Sequence, residues 1–143
     1  MSNAPAKPRP VYRNIHITDI VRYRLPVAGM VSILHRVSGA MMFLLLPFAL
    51  WIFDASLSSE FSYEALASAF AVGAGPLPGW LLKLVSLALI WAYLHHAIAG
   101  VRHLWMDATH SVAKAQGATS AVATLALSLL LTAALGAKLF GLF

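Results

Sequence analysis

The 143-residue chain is long enough for one domain. Its composition is not that of a water-soluble one: 60% of residues are hydrophobic and 10% charged, against about 25% charged in soluble proteins. The absence of cysteine excludes disulfides, thiolate zinc sites and iron–sulfur ligation by this chain. The net charge of +5 gathers near one terminus, which is a membrane-topology signal. No basic helix interleaved with aromatics suggests contact with nucleic acid.

Residues 1–26 are polar, basic and Pro-containing, with Lys7, Arg9, Arg13, Arg22 and Arg24 opposing a lone Asp19. Residues 1–10 read as a disordered tail, and 1–26 together as a basic cytoplasmic segment ahead of a membrane domain over 27–143. The lack of a short apolar run with a small-residue cleavage site argues against a secretory signal peptide. The first predicted span covers about 27–53. Its uncharged part, 37–53, falls short of the roughly 20 residues a bilayer requires. The span therefore reaches back to Pro26 and carries His35 and Arg36 into the membrane boundary. Pro47 should kink or loosen this helix.

Residues 54–79 are predicted as a loop whose charges are Asp54, Glu60 and Glu64, with no Lys or Arg. A short surface helix is expected over 62–72, and GAGPLPG at 73–79 breaks the chain. The second span covers 80–105, with Lys83 placed to snorkel to the interface. A second loop over 106–119 holds Asp107, His110 and Lys114. The third span, 120–142, has no ionisable group until Lys138. Three spans put the termini on opposite sides, and the positive-inside rule puts the N-terminus in the cytoplasm. The fold class is all-α integral membrane, three transmembrane helices in antiparallel up-down-up order. No transporter-type internal repeat is visible.

Residues 91–107, WAYLHHAIAGVRHLWMD, are apolar enough for lipid yet carry three histidines, an arginine and an aspartate. On a helix His96, Gly100, His103 and Asp107 fall within about 40° of one another. They make one polar seam with a flat glycine patch between its histidines. A second cluster, SILHRVSG at 32–39, puts Ser32, His35, Arg36 and Gly39 on one helical face. Both clusters lie at the cytoplasmic ends of their spans, so antiparallel neighbours could bring them together.

A histidine as deep as His96 needs a partner, and intramembrane ionisable groups are functional by default. Gly100 and His103 on the same face favour a haem ligand over a merely hydrogen-bonded imidazole, since haem is flat and its iron takes axial histidine. His103, His35 and Arg36 are placed to meet its propionates. His96 and His103 cannot both bind one iron, being about 10.5 Å apart along the helix. His35 is expected at the wrong depth. A six-coordinate haem therefore requires a histidine from another polypeptide. His95 points about 100° away from His96 and reads as a helix-contact or lipid-boundary residue, although its adjacency leaves the ligand choice between the two open. His16 and His110 read as solvated, and Trp80, Trp91 and Trp105 as interface-belt or packing residues. Ser32 and Arg36 could hydrogen-bond a quinone carbonyl, or simply cap the helix and bind lipid headgroups.

With SILHRVSG at 32–39 and H-x-x-x-G-x-R-H-x-x-x-D from His96 to Asp107, the chain resembles the large cytochrome b membrane-anchor subunit of bacterial succinate dehydrogenase. The likeness runs from about residue 20 to 110 and extends to the three-span plan. It implies half of a heterodimeric helical bundle in the bacterial inner membrane, sharing one haem b with a second small membrane-anchor subunit. It also implies docking of an iron–sulfur subunit and a flavoprotein subunit, and delivery of electrons from succinate to ubiquinone. By motif, His96 would be the axial ligand, and His35, Arg36 and His103 the propionate contacts. Ser32, Arg36 and Asp107 would line or tune the quinone pocket. His95 departs from the pattern. With no dinucleotide-binding glycine motif and no cysteine, the chain alone cannot oxidise succinate. Two alternatives stand beside this: a haem-free structural anchor, and a small proton-conducting bundle, which too few spans and the lack of a broken-helix pair disfavour.

Overall fold

The computed structural model describes residues 16–110 and 113–143. The basic tail over 1–15 lies outside the described residues. A short helix α1 (Ile17–Arg22) precedes α2 (Val27–Leu44), and α3 (Leu46–Leu57) follows after a break at Leu45. The break has a local cause. Pro47 sits in the first turn of α3 and has no N–H to donate back. Leu45 N still donates to Met41 O (2.9 Å), and the ladder resumes with Ala49 N donating to Leu45 O (3.0 Å). The expected first span is thus two helices in series, extending to Leu57 rather than 53.

The predicted loop over 54–79 is mostly structured. Helix α4 (Glu60–Ala71) is close to the short helix expected there. It starts at a reciprocal serine cap: Ser62 N donates to Ser59 Oγ (3.1 Å) and Ser59 N to Ser62 Oγ (3.0 Å). A two-residue hairpin, β1 (Gly73–Ala74) with β2 (Leu77–Pro78), then turns the chain. Gly73 has φ +124 there, and a Cβ on it would meet Leu77 O at 2.5 Å.

Helix α5 (Gly79–Thr109) is 31 residues long, about 46 Å, which exceeds a hydrocarbon core of about 30 Å. Helix α6 (Lys114–Leu139) completes the fold. Each runs beyond the expected boundary, so the connection between them is much shorter than the 106–119 loop. The third helix ends at Leu139 rather than 142. Helices α2, α5 and α6 are long and apolar enough to cross a membrane.

The three long helices pack on one another with few large side chains between them. The buried cluster is Val31, Ala99 and Ala121, flanked by Ala28 and Leu125. The other buried positions on these helices are largely polar: Ser38, Ser86, His95, Arg102, Thr124 and Ser128. Bulk points outward instead, with Phe43 77% and Leu44 73% exposed. Small residues inside and apolar bulk outside are what a helix bundle in lipid requires, because lipid solvates Leu and Phe as well as a core does. Contacts set the register. His35 meets His96 and His103, Arg102 meets Ser120, and His95 meets Ser128. The start of α2, the end of α5 and the start of α6 therefore gather at one end.

Candidate functional site

Three of the sequence-predicted residues converge between α2 and α5. The rings of His35 and His96 stack with centroids 4.1 Å apart and planes inclined by 25°. His35 and His103 are 5.0 Å apart and tilted by 46°. The expectation that His35 lies at the wrong depth relative to His96 is corrected. Residue counting along each helix separately does not give the offset between two packed helices.

His96 is held in one orientation. Its Nδ1 lies 3.0 Å from the carbonyl oxygen of His35, an atom that can only accept, so Nδ1 carries the proton and donates. Ser38 Oγ donates to the same carbonyl (2.8 Å) and lies 3.3 Å from His96 Nδ1, where it accepts a share of that proton. In the neutral ring Nε2 is then the unprotonated nitrogen, and it makes no hydrogen bond among the described residues. Donation through one ring nitrogen to a carbonyl is how proteins fix a metal-binding imidazole. Gly39 makes room for the ring, since a Cβ there would sit 2.9 Å from His96 Cε1. At Gly100 an added Cβ would meet only His35 Nε2, at 3.8 Å. The chain's own packing therefore demands glycine at 39 but not at 100.

His35 Nε2 is buried in the crease with no hydrogen-bond partner among the described residues. Ser32 is half-buried on α2, and Arg36 and Asp107 are exposed. No described hydrogen bond joins these three to the histidine cluster. Ser38 escaped the sequence reading because it falls outside the face traced by Ser32, His35, Arg36 and Gly39. Its place within SILHRVSG was the only available signal.

His95 is fully buried and not at a lipid boundary. It stacks on Trp91 with centroids 5.4 Å apart, and its Nδ1 lies 3.2 Å from Ser128 Oγ on α6. It faces α6, as the 100° offset from His96 requires. Among the described residues no three His, Asp or Glu side chains converge into a cage for a metal ion.

These features define a multi-pass helical membrane subunit with a histidine-lined crease near one end. Comparison with known proteins gives its family. Residues 6–135 match the family model described as succinate dehydrogenase/fumarate reductase transmembrane subunit. The chain is 31% identical over 109 residues to the succinate dehydrogenase cytochrome b556 subunit of Paracoccus denitrificans, covering 76% of this chain and 78% of that protein. It is 32% identical over 89 residues to the succinate dehydrogenase cytochrome b556 subunit of Coxiella burnetii (strain RSA 493 / Nine Mile phase I), covering 62% of this chain and 66% of that one. The chain belongs to the succinate dehydrogenase/fumarate reductase transmembrane subunit family, as a cytochrome b membrane-anchor member.

Proposed function

We propose that this subunit holds one haem b jointly with a second small membrane-anchor subunit and forms part of a ubiquinone-reduction site. The observation that carries the proposal is the Nδ1–H of His96 donating to the His35 carbonyl at 3.0 Å, which leaves Nε2 free as a donor to iron. Gly100 adds to the fit, because the chain's own packing would accept a Cβ there, which meets only His35 Nε2 at 3.8 Å.

Of the residues present, His96 would hold the haem iron through Nε2. His103 and Arg36 lie toward the end where propionates would be, and are cationic or hydrogen-bonding groups suited to carboxylates. His35 would join them if its ring turned out of the crease, which would also give its orphan Nε2 a partner. A histidine of the partner subunit would hold the iron jointly with it. His35 and His96 present ring faces to each other, so they are not arranged to hold one iron between them. When bound, the haem supplies a one-electron store beside the quinone site.

At the membrane surface Ser32 Oγ and the Arg36 guanidinium would donate to a quinone carbonyl, polarising it for reduction, with Asp107 tuning the local charge. The basic N-terminal segment over 1–26 would lie in the cytoplasm of a bacterial cell, with α2, α5 and α6 crossing the inner membrane up-down-up as the domain 27–143. Iron–sulfur and flavoprotein subunits would dock on that side and bring the electrons.

The assembled complex tests the quinone assignment. Ser32→Ala and Arg36→Ala are expected to lower succinate-driven quinone reduction while leaving reduction of an artificial dye near wild type. Equal loss in both assays would instead indicate failed assembly, whereas undiminished quinone reduction would remove these residues from the quinone site.

A further inference from the structure

A second polar site lies on another face of α5, turned about 100–120° from His103 and His96. Arg102 is only 8% exposed. Its Nε donates to Ser120 Oγ (3.0 Å) and its Nη2 to the carbonyl of Gly117 (3.1 Å). Both acceptors are neutral. A guanidinium has five N–H donors, so the remaining ones, on Nη1 and Nη2, find no partner among the described residues. No carboxylate of this chain compensates the charge. The acids are Asp19, Asp54, Glu60, Glu64 and Asp107, and the segments outside the described residues contain none. No described acid is paired with Arg102, and Asp107 is exposed. A cation buried against neutral acceptors alone is costly. Its counter-charge must come from outside the chain.

Arg102 opens onto a groove of about 290 Å³ between α5 and α6, lined also by Ile98, Trp105, Ser120, Thr124 and Leu127. We propose that this groove binds an anionic phospholipid, the phosphate meeting the free N–H groups of Arg102 and the acyl region lying along Ile98 and Leu127. Three observations favour lipid over a protein carboxylate. The guanidinium reaches the first turn of α6, at Gly117, near the end of a span where headgroups lie. Trp105 beside it is 67% exposed, and indoles sit at that interface. The groove faces away from the histidine crease, so a partner that completes the crease leaves it open to the bilayer.

The test uses the purified multisubunit complex in nanodiscs of phosphatidylcholine alone or with phosphatidylglycerol added. Native mass spectrometry reads the lipid retained on release, and thermal scans read stability. Lipid retention is read independently of haem. The wild type should retain phosphatidylglycerol selectively and unfold at a higher temperature when it is present. Arg102→Gln should retain about fivefold less and lose the lipid-dependent shift, while Arg102→Lys keeps part of both. If the glutamine variant fails to assemble, the wild type and the lysine variant decide. Equal retention of the two lipids by wild type would overturn the proposal. So would a matching stabilisation by inorganic phosphate in phosphatidylcholine discs, which would mark a free-anion site. Destabilisation of Arg102→Gln with no lipid selectivity in wild type would point to a partner carboxylate and equally overturn it.

Discussion

A backbone carbonyl on the neighbouring helix decides which nitrogen of His96 is available. Because His35 O can only accept, the proton must sit on Nδ1, and the seam acquires a directed Nε2. Gly39 is part of that arrangement, since any side chain there must displace the ring from 2.9 Å. Gly39→Ala is expected to lower the haem-to-protein ratio and to lower the unfolding midpoint of the complex in detergent. Gly100→Ala should leave the unfolding midpoint of haem-free protein unchanged, since its methyl meets only His35 Nε2 at 3.8 Å. It should still lower haem content if a porphyrin lies on that patch. A pigment-replete Gly100→Ala complex would move the flat face of the haem elsewhere.

Helix α5 does two jobs at adjacent residues, turning His96 toward α2 and His95 toward α6. The second contact is structural. Ser128 Oγ donates to Leu125 O (3.1 Å) and lies 3.2 Å from His95 Nδ1, so that nitrogen of the buried imidazole rests on a hydroxyl from α6. Ser128→Ala should cost about 1–3 kcal/mol, the penalty for a stranded buried polar group. The double variant His95→Leu with Ser128→Ala should recover much of the loss, because removing both partners together leaves nothing unsatisfied. Thermal unfolding of both in detergent checks this, and additive losses would contradict it.

What could be read from the sequence at this scale followed from contrast. Polar residues on an apolar helix stand out, so the seam and the α2 face were legible, as was the disruption by Pro47. Contacts between helices were not. The His35–His96 stack depends on how far α2 is shifted against α5, and the buried partners of His95 and Arg102 lie on α6, whose scattered Ser and Thr residues do not by themselves mark which of them face α5. Over 54–79 the short helix and the break at GAGPLPG were legible, whereas the serine cap at Ser59 and the two-residue hairpin leave little periodic pattern and were not.

Across the whole molecule, the arrangement is the inverse of a soluble protein, with Phe43 and Leu44 outside and Ser38, His95 and Ser128 within. That distribution is stable only where something apolar covers the outside, which is the bilayer for most of the surface and, in the proposed assembly, a second subunit along the crease. In that assembly His96 Nε2 would open toward the second subunit, while Nδ1 is held by the His35 carbonyl of this one. The most direct test is the reduced-minus-oxidised absorbance of the purified complex carrying His96→Ala beside one carrying His95→Ala. The b-type band should vanish or collapse in the first and persist in the second, with subunit stoichiometry preserved in both. A normal band in His96→Ala, or its loss in His95→Ala alone, would contradict the assignment of the iron ligand.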